Sequence, residues 1–367
     1  MDHSADRPGN TERLEGELAR LLAAYDARHD TSAVRFAFAS PTRGWAWEWG
    51  AAGSPEQYFI ASITKLYVTA LVMQLRSDGR VDIDAPAASH LGASVMAGIH
   101  VLGGVDSSER ITVRQLLAHT SGIADYFEQK RRDGHTQIGD ALARDLKWSF
   151  DDVLRITREE LKPRFAPSTP GKAFYSDTNY QVLGALIEAV TGATFEDTLR
   201  ARVLDPLGLT GTYPFTPETV PLYNDVASML FGTKRVVIPK AMASVRADGG
   251  IVSTARDGIA FLEAFTGGAL FPAAYLVEMQ QRWNRVFFPL EYGVGIMRFA
   301  LPRYYSPLRP VPPMIGHSGA SGAVLYHVPS LDLYVSGTVN QISKRSLSYR
   351  LLTRLVMTCD SAWRRRR

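Results

Sequence analysis

Cysteine is nearly absent from the sequence: Cys359 is the only one among 367 residues. A single thiol excludes an intramolecular disulfide and any metal site built from several thiolates. Two pairs of neighbouring aspartates, Asp82 with Asp84 and Asp151 with Asp152, lack histidine or cysteine partners at metal-ligand spacing. We therefore expect no metal ion and no other cofactor.

Long apolar runs are also missing. No stretch of 18 apolar residues exists, and the first segment, "MDHSADRPGNTERLEGE", has neither the basic nor the apolar region of a secretory signal. These absences predict a cytoplasmic protein with no membrane partner.

The positive charge is not gathered into one segment. The net charge is +4 with a pI near 9.1, but basic residues are scattered among acids, and the Arg364 to Arg367 run reads as a solvated tail. A nucleic-acid site would need a basic stripe interleaved with aromatics. We expect no nucleic-acid partner, and the sequence leaves the oligomeric state open.

Strand patterns occur at both ends of the chain. Residues 33–40 and 44–50 read as strands, and strands return after about residue 235. Between them, short helical pieces alternate with loops rich in proline and glycine. A hydrophobic content of 46% suits a globular protein of this length, with one large domain or two intertwined ones.

The segment "IASITKLYV" places Ser62 one helical turn before Lys65. A serine hydroxyl becomes a good nucleophile when a nearby base takes its proton, and a desolvated lysine can be that base. The spacing alone is weak evidence, because roughly 0.5 such pairs are expected by chance in a chain of this composition. The alternative is that Lys65 extends to solvent.

A second motif, "FYSDTNYQVLG", places Tyr175 just before a helix with Ser176 as its N-cap. A tyrosine beside a lysine in a cleft would favour its phenolate and could share the proton transfer. The alternatives are a surface aromatic for Tyr175 and, for Asp177, an acid that complements the helix dipole.

A third motif, "IGHSGASGAVLYHV", has glycines at 316, 319 and 322, which let a ligand or another backbone approach a strand closely. His317 and Ser318 would border that approach, and the strand could offer a backbone N–H to an oxyanion. The simpler alternative is a β-bulge.

In this order, the three motifs resemble those of the penicillin-recognising serine hydrolases, and most of all the class C β-lactamase-related branch with its esterases, D-amino-acid amidases and acyltransferases. Ser62-x-x-Lys65 matches the first motif, Tyr175-Ser176-Asp177 the second and His317-Ser318-Gly319 the third. Further segments that look familial are "LLAHTSGI", "DPLGLTGT", "ADGGIVST" and "YGVGI".

The resemblance implies a role for each site residue. Ser62 would be the acylated nucleophile, and Lys65 with Tyr175 the general base and acid. The backbone N–H groups of Ser62 and Ala320 would form the oxyanion hole. The remaining candidates for substrate binding are Asp177, His317, Ser318 and Gly319, with His317 near the substrate carboxylate or leaving group.

The resemblance also implies an α+β fold of the β-lactamase/DD-peptidase type. An antiparallel sheet flanked by helices would be built from residues 10–80 and 235–367. A mainly helical domain would comprise residues 81–234, with the active site in the cleft between the two.

Two residues depart from the family pattern. Asp177 stands where asparagine is commoner, and a carboxylate cannot donate a hydrogen bond unless protonated. It would hold Lys65 charged, which shifts the expected base role toward Tyr175. His317 stands where many lactamases have lysine, and a neutral imidazole attracts a carboxylate less. Both changes favour uncharged esters or amides as substrates. Together with the missing export signal, they predict a cytoplasmic carboxylesterase or amidase of small ester or amide substrates.

Four alternatives remain open. The chain could be a β-lactamase or a DD- or D-amino-acid peptidase, an acyltransferase or cyclase that releases a metabolite, or a non-catalytic binding protein on the same fold. In the fourth, "GHSGA" would be a nucleophile elbow with Ser318 as nucleophile, but that motif requires a following helix, and the sequence predicts a hairpin there.

Overall fold

The computed structural model describes residues 8–50 and 52–364. Within these ranges the strands are β1 (Arg35–Ser40), β2 (Trp45–Gly50), β3 (Tyr58–Phe59), β4 (Val101–Leu102), β5 (Val105–Asp106), β6 (Tyr213–Pro214), β7 (Leu230–Phe231), β8 (Lys234–Arg235), β9 (Ile251–Ser253), β10 (Asn284–Phe287), β11 (Leu290–Tyr292), β12 (Met297–Phe299), β13 (Met314–Ser318), β14 (Ala323–Val328) and β15 (Leu333–Thr338).

The helices in the same ranges are α1 (Pro8–Asp26), α2 (Thr64–Ser77), α3 (Ala88–Leu91), α4 (Ala93–Met96), α5 (Val113–Leu117), α6 (Gln137–Arg144), α7 (Phe150–Arg155), α8 (Asp177–Thr191), α9 (Phe195–Leu199), α10 (Asp205–Leu207), α11 (Pro239–Ser244), α12 (Arg246–Gly249), α13 (Ala255–Gly267), α14 (Ala273–Met279) and α15 (Ser346–Arg364). None of these helices is long and apolar enough to cross a bilayer.

The largest described sheet joins the two ends of the chain. Its strand order is β10-β11-β12-β13-β14-β15-β1-β2, and every neighbouring pair is antiparallel. β1 therefore pairs with β15, about 300 residues later, with Phe36 opposite Gly337. A sheet assembled from both ends encloses the segment between them.

Alternate residues of these strands pack into two different apolar cores. Phe36 and Phe38 lie in one core with α1 and α15, whereas Ala37 and Ala39 lie in the other with α2 and α13. The period of two in a strand is the physical reason, since successive side chains leave opposite faces of the sheet. The predicted α+β fold, an antiparallel sheet flanked by helices, is confirmed.

Helix α2 is the element that ties the sheet to the helical part. Its residues 64–73 are all buried, and they pack against the apolar side chains of α5, α8 and α13. We propose a division at residues 80 and 234, because α2 precedes the mainly helical segment and the sheet strands resume after it. Ser62 lies in the turn that precedes α2, and it lines a cavity whose wall residues come from both parts of the chain.

Candidate active site

Ser62 lies in a tight 3-10 turn, Ala61–Ile63, that leads into α2. Ala61 has a φ of +47°, in the left-handed region that costs a non-glycine residue about 1 kcal/mol or more. The third motif packs closely against this turn: a Cβ added to Gly319 would lie 2.2 Å from the carbonyl oxygen of Ile60. The turn and the third motif are therefore held against each other.

Lys65 is fully buried, and its ammonium group faces three oxygens. Nζ lies 3.2 Å from Ser62 Oγ, 2.6 Å from the carbonyl oxygen of Asp248 and 2.6 Å from Asp177 Oδ1. The alternative that Lys65 extends to solvent is wrong. An amine within reach of a serine hydroxyl is the arrangement that nucleophile activation requires.

Tyr175 lies next to this pair, with its ring centroid 5.1 Å from Lys65 Nζ. Burial, and then the charge of Asp177, raise the pKa of its phenol well above the ordinary value. The neighbouring Ser62 hydroxyl moderates this rise, although Tyr175 Oη makes no aligned hydrogen bond with a described residue. The phenol is thus protonated at rest, which differs from the phenolate that the lysine neighbour suggested.

Asp177 forms an ion pair with Lys65 and is itself almost completely buried. Burial raises the pKa of its carboxyl, and the Lys65 ammonium opposes that rise. Its backbone N–H donates to Asp125 Oδ1 at 2.9 Å, so the acids Asp177 and Asp125 lie close together.

Two further buried carboxyls, Asp125 and Asp248, were missed by the sequence reasoning. Burial, and then Asp177, raise the pKa of Asp125 to about 8. The same two causes raise the pKa of Asp248 well above its usual range, while Tyr126 Oη donates to its Oδ2 at 2.8 Å. Asp248 lies in the segment "ADGGIVST", where an acid within an apolar stretch was the available signal.

His317 does not line the cavity beside Ser62, because its ring is completely buried behind the third motif. Nε2 lies 3.0 Å from Tyr292 Oη, and Nδ1 lies 2.8 Å from the carbonyl oxygen and 3.0 Å from the backbone nitrogen of Ser318. Burial, with the nearby Lys65 charge, lowers the pKa of His317 to about 3. The ring is therefore neutral and contributes no positive charge to substrate binding.

The backbone N–H groups of Ser62 and Ala320 have no acceptor within residues 8–50 and 52–364, and both residues line the cavity. Gly319 N–H is already used, since it donates to the Ala323 carbonyl at 2.8 Å. Two unused N–H groups at one cavity wall are what an oxyanion would need. Ser318 is followed by the β13–β14 hairpin rather than by a helix, so the nucleophile-elbow alternative is wrong.

His119 positions Tyr175 from behind. Its ring centroid lies 4.3 Å from that of Tyr175, and its Nδ1 accepts the Ser176 N–H at 3.1 Å. Burial, with the Lys65 charge, keeps the pKa of His119 well below its ordinary value. A neutral imidazole with Nδ1 as acceptor carries its proton on Nε2. His119 thus fixes both the ring and the backbone at the start of α8.

Ser62 opens into a cavity of about 1360 Å³, above the ~300–1,000 Å³ of ordinary small-molecule sites. Its walls are mainly apolar and aromatic: Phe127, Ile138, Leu142, Trp148, Met242, Phe287, Phe288, Leu290, Met297, Phe299, Leu301 and Tyr349. Ser318, Gly319 and Ala320 form part of the wall beside Ser62, and Asp177 lines it as well. The cavity can accept a large apolar substrate.

A serine beside a buried lysine is an arrangement that suits nucleophilic attack by the serine. A family model described as Beta-lactamase matches residues 18–351. The chain therefore belongs to the Beta-lactamase family.

Curated relatives include penicillin-binding protein 4 of Amycolatopsis lactamdurans, 33% identical over 148 residues, and lovastatin esterase of Penicillium rubens, 28% identical over 179 residues. These matches cover 40% and 44% of this chain, and 33% and 40% of the relatives. The chain thus spans less than half the length of either relative.

Among solved structures, the D-amino acid amidase from Ochrobactrum anthropi SV3 superposes with a TM-score of 0.77 at 21% identity. The superposition covers 95% of this chain and 99% of that one. This likeness confirms the predicted β-lactamase/DD-peptidase type of fold.

Proposed function

We propose that the chain is an esterase or amidase in which Ser62 attacks the carbonyl carbon of its substrate and becomes acylated. The observation that carries the proposal is the 3.2 Å separation between Lys65 Nζ and Ser62 Oγ at the floor of the cavity. The unused N–H groups of Ser62 and Ala320 would receive the negative charge that develops on the carbonyl oxygen.

Lys65 is the better placed proton acceptor. A neutral amine has two N–H donors and one lone pair. The two donors suit Asp177 and the Asp248 carbonyl, which leaves the lone pair for the Ser62 hydroxyl. The proton of Ser62 passes to Lys65 as the Oγ–carbon bond forms.

Tyr175 suits the opposite role. A phenol whose pKa is raised keeps its proton, so it can pass that proton to the leaving alcohol or amine when the tetrahedral intermediate collapses. Lys65 then returns a proton to Tyr175, and water hydrolyses the acyl-enzyme. This assignment reverses the shift of the base role toward Tyr175 that Asp177 suggested in the sequence.

An uncharged ester or amide fits the site better than a carboxylate-bearing lactam. The third motif carries a neutral His317, so this motif offers no cation to a substrate carboxylate, although Arg350 and Arg354 also line the cavity. The predominantly apolar walls favour a bulky hydrophobic group on the acyl or the alcohol side.

Acyl transfer is the second candidate, and the size of the cavity favours it. A volume of about 1360 Å³ leaves room for an acceptor alcohol beside the acyl group. In that case the acceptor hydroxyl, rather than water, would attack the acyl-enzyme.

The test is to incubate the protein with a short-chain p-nitrophenyl ester, the matching anilide and a chromogenic cephalosporin, and to measure turnover and intact mass. We expect an acyl adduct and faster hydrolysis of the ester, with both lost in Ser62→Ala and the adduct kept in the control Ser318→Ala. More efficient hydrolysis of the cephalosporin would refute the ester preference. Adding a primary alcohol and analysing products by mass spectrometry separates transfer from hydrolysis.

The expected cytoplasmic location stays a prediction. Fractionation of cells that produce the protein, followed by detection in the soluble and membrane fractions, would check it.

A further inference from the structure

An exposed aromatic cluster lies at the mouth of the cavity. We call it the mouth patch, and its members are Phe287, Phe288, Tyr304, Tyr305 and Leu308. Leu308 is 96% exposed and Tyr304 73% exposed. Single apolar residues on a surface are ordinary, but a contiguous group of this kind marks an interaction site.

Contacts join the aromatic members of the mouth patch, and Leu308 follows Tyr305 by three residues in the same loop. The ring centroids of Phe288 and Tyr305 are 5.4 Å apart, and those of Tyr304 and Tyr305 are 4.7 Å apart. Phe287 lies 5.8 Å from Tyr175, and it lines the cavity together with Phe288. The patch is therefore continuous with the active-site entrance.

The loop that carries the mouth patch and the C-terminal helix α15 belong to segments rich in basic residues. Segments 282–312 and 344–364 contain ten basic residues and two acids, although the whole chain has 41 basic and 37 acidic residues. The basic residues are Arg282, Arg285, Arg298, Arg303, Arg309, Lys344, Arg345, Arg350, Arg354 and Arg364, and the acids are Glu291 and Asp360. Two of these cations are paired with acids of other segments, Lys344 with Asp30 and Arg345 with Glu128.

Both acids of these segments are already paired, Glu291 with Arg298 and Asp360 with Arg364. By contrast, Arg303, Arg309, Arg350 and Arg354 form no ion pair with any residue in the part of the chain that the structure describes. These four cations and the mouth patch form one amphipathic surface, because Arg350 and Arg354 line the same cavity as Phe287 and Phe288.

The loop that carries the mouth patch lies along α15. Arg309 Nη1 donates to Ser361 Oγ of that helix at 3.4 Å, and Leu301 lines the cavity with Arg354. The arginines of the loop and of the helix therefore surround the exposed rings.

We propose that this surface docks on an anionic lipid interface, so that the cavity mouth faces the lipid. Aromatic and aliphatic tips insert at the headgroup level, and arginines attract anionic headgroups. Charge complementarity favours an anionic lipid surface, because these four cations have no acidic partner among the described residues and anionic headgroups present a continuous negative charge. A protein partner or a second copy is the competing occupant, since arginine and aromatic residues are also enriched at protein interfaces, and the measurements below separate the two. The expectation of no membrane partner rested in part on the missing apolar run, which concerns spanning helices and does not bear on surface docking.

Docking does not depend on the proposed hydrolysis. If both proposals hold, the enzyme takes a hydrophobic ester or amide substrate from the lipid interface. The apolar walls next to the patch suit such a substrate.

The experiment is co-sedimentation of the whole chain with vesicles of phosphatidylcholine alone and of phosphatidylcholine with phosphatidylglycerol. We compare wild type, Arg303→Gln/Arg309→Gln, Tyr304→Ser/Leu308→Ser, and the control Val277→Ser/Arg200→Gln, whose residues lie outside the patch and the cavity lining. Circular dichroism and thermal unfolding show that each variant is folded.

We expect wild type and control to bind the anionic vesicles. The arginine variant should lose at least about tenfold in affinity for them, since each interfacial arginine contributes about fivefold. The Tyr304/Leu308 variant should bind both kinds of vesicle more weakly. Equal binding by wild type and both patch variants, or no binding by wild type, would overturn the proposal.

Two parallel measurements separate the remaining outcomes. Sedimentation velocity without vesicles would refute lipid docking if the patch variants lost a dimer that wild type forms. Turnover of a water-soluble short-chain ester should be equal in all four proteins. Turnover without vesicle binding defeats the docking proposal alone, and vesicle binding without turnover defeats only the proposed function.

Discussion

Replacing Asp177 by asparagine should move the activity of this enzyme toward acid pH. In the structure, Asp177 Oδ1 lies 2.6 Å from Lys65 Nζ, and both side chains are buried. The carboxylate stabilises the ammonium form, which cannot accept the Ser62 proton. Asparagine keeps an oxygen that can accept from the amine but removes the charge.

The magnitude follows from the distance. Two unit charges 2.6 Å apart interact by about 6 kcal/mol at an effective dielectric constant of 20, before desolvation is counted. Desolvation of each ion costs several kcal/mol, so only part of this attraction remains as net stabilisation of the ion pair. The acid limb of the kcat/KM profile should therefore move to lower pH in Asp177→Asn.

Asp177→Asn should destabilise the protein less than the loss of one partner from a buried ion pair usually does. Removing one partner typically costs about 3–5 kcal/mol because a charge is left unpaired. Here the amine can lose its proton, so we expect a loss of about 2 kcal/mol in the free energy of unfolding. Urea unfolding at pH 7 measures it.

The assay is the pH dependence of ester hydrolysis between pH 5 and 10, with burst kinetics to isolate acylation. The matched control is Asp78→Asn, which removes a carboxylate that pairs with Arg202 on the surface and should leave the profile unchanged. An unchanged acid limb in Asp177→Asn, or a shift to higher pH, would refute the role of Asp177 as the counter-ion that holds back Lys65.

Three further predictions concern the surroundings of Ser62. Tyr175→Phe should lower kcat about 100-fold for an amide but less than tenfold for an activated p-nitrophenyl ester, because only the poor leaving group needs the phenol proton. Steady-state kinetics on the two substrates measure the difference, and equal losses would contradict the prediction. Gly319→Ala should reduce kcat by about 100-fold or more, because the added Cβ would lie 2.2 Å from the Ile60 carbonyl oxygen and displace the neighbouring oxyanion N–H groups. Normal kinetics in a folded variant would argue against the proposed oxyanion hole. For His317, a folded-state pKa of about 3 lies below the unfolded value near 6.5, so its contribution to stability is complete above pH 6.5 and is lost as the pH falls toward 3. The free energy of unfolding of His317→Gln should thus fall less steeply than that of wild type between pH 6.5 and 4, by up to about 1.4 kcal/mol per pH unit; parallel curves in urea titrations would show that the imidazole is not held neutral.

The sequence was sufficient for the features that depend on local spacing. Ser62 and Lys65 are three residues apart, and any helical turn places them on one face. Alternation in β1 likewise fixed which residues face which core, since successive side chains leave opposite sides of a strand. These patterns, with the order of the motifs, predicted the fold and the family.

The electrostatic surroundings of Lys65 came only from the tertiary structure. The carbonyl oxygen of Asp248 that accepts from Lys65 is 183 residues away in sequence, and no local pattern predicts that contact. The same holds for Tyr126, whose hydroxyl reaches Asp248 across 122 residues. Burial sets the protonation of these groups, and burial depends on which distant segments pack together.

The sequence alone determined that a serine, a lysine and a tyrosine follow one another in the order of the family motifs. The tertiary structure alone decided that His317 is buried outside the cavity lining, that burial raises the pKa of the Tyr175 phenol, and that four arginines without an ion pair among the described residues lie near an aromatic cavity mouth. The physical reason is that identity and short-range geometry are local properties of a chain, whereas solvent exposure and electrostatic potential are sums over everything that folding brings near.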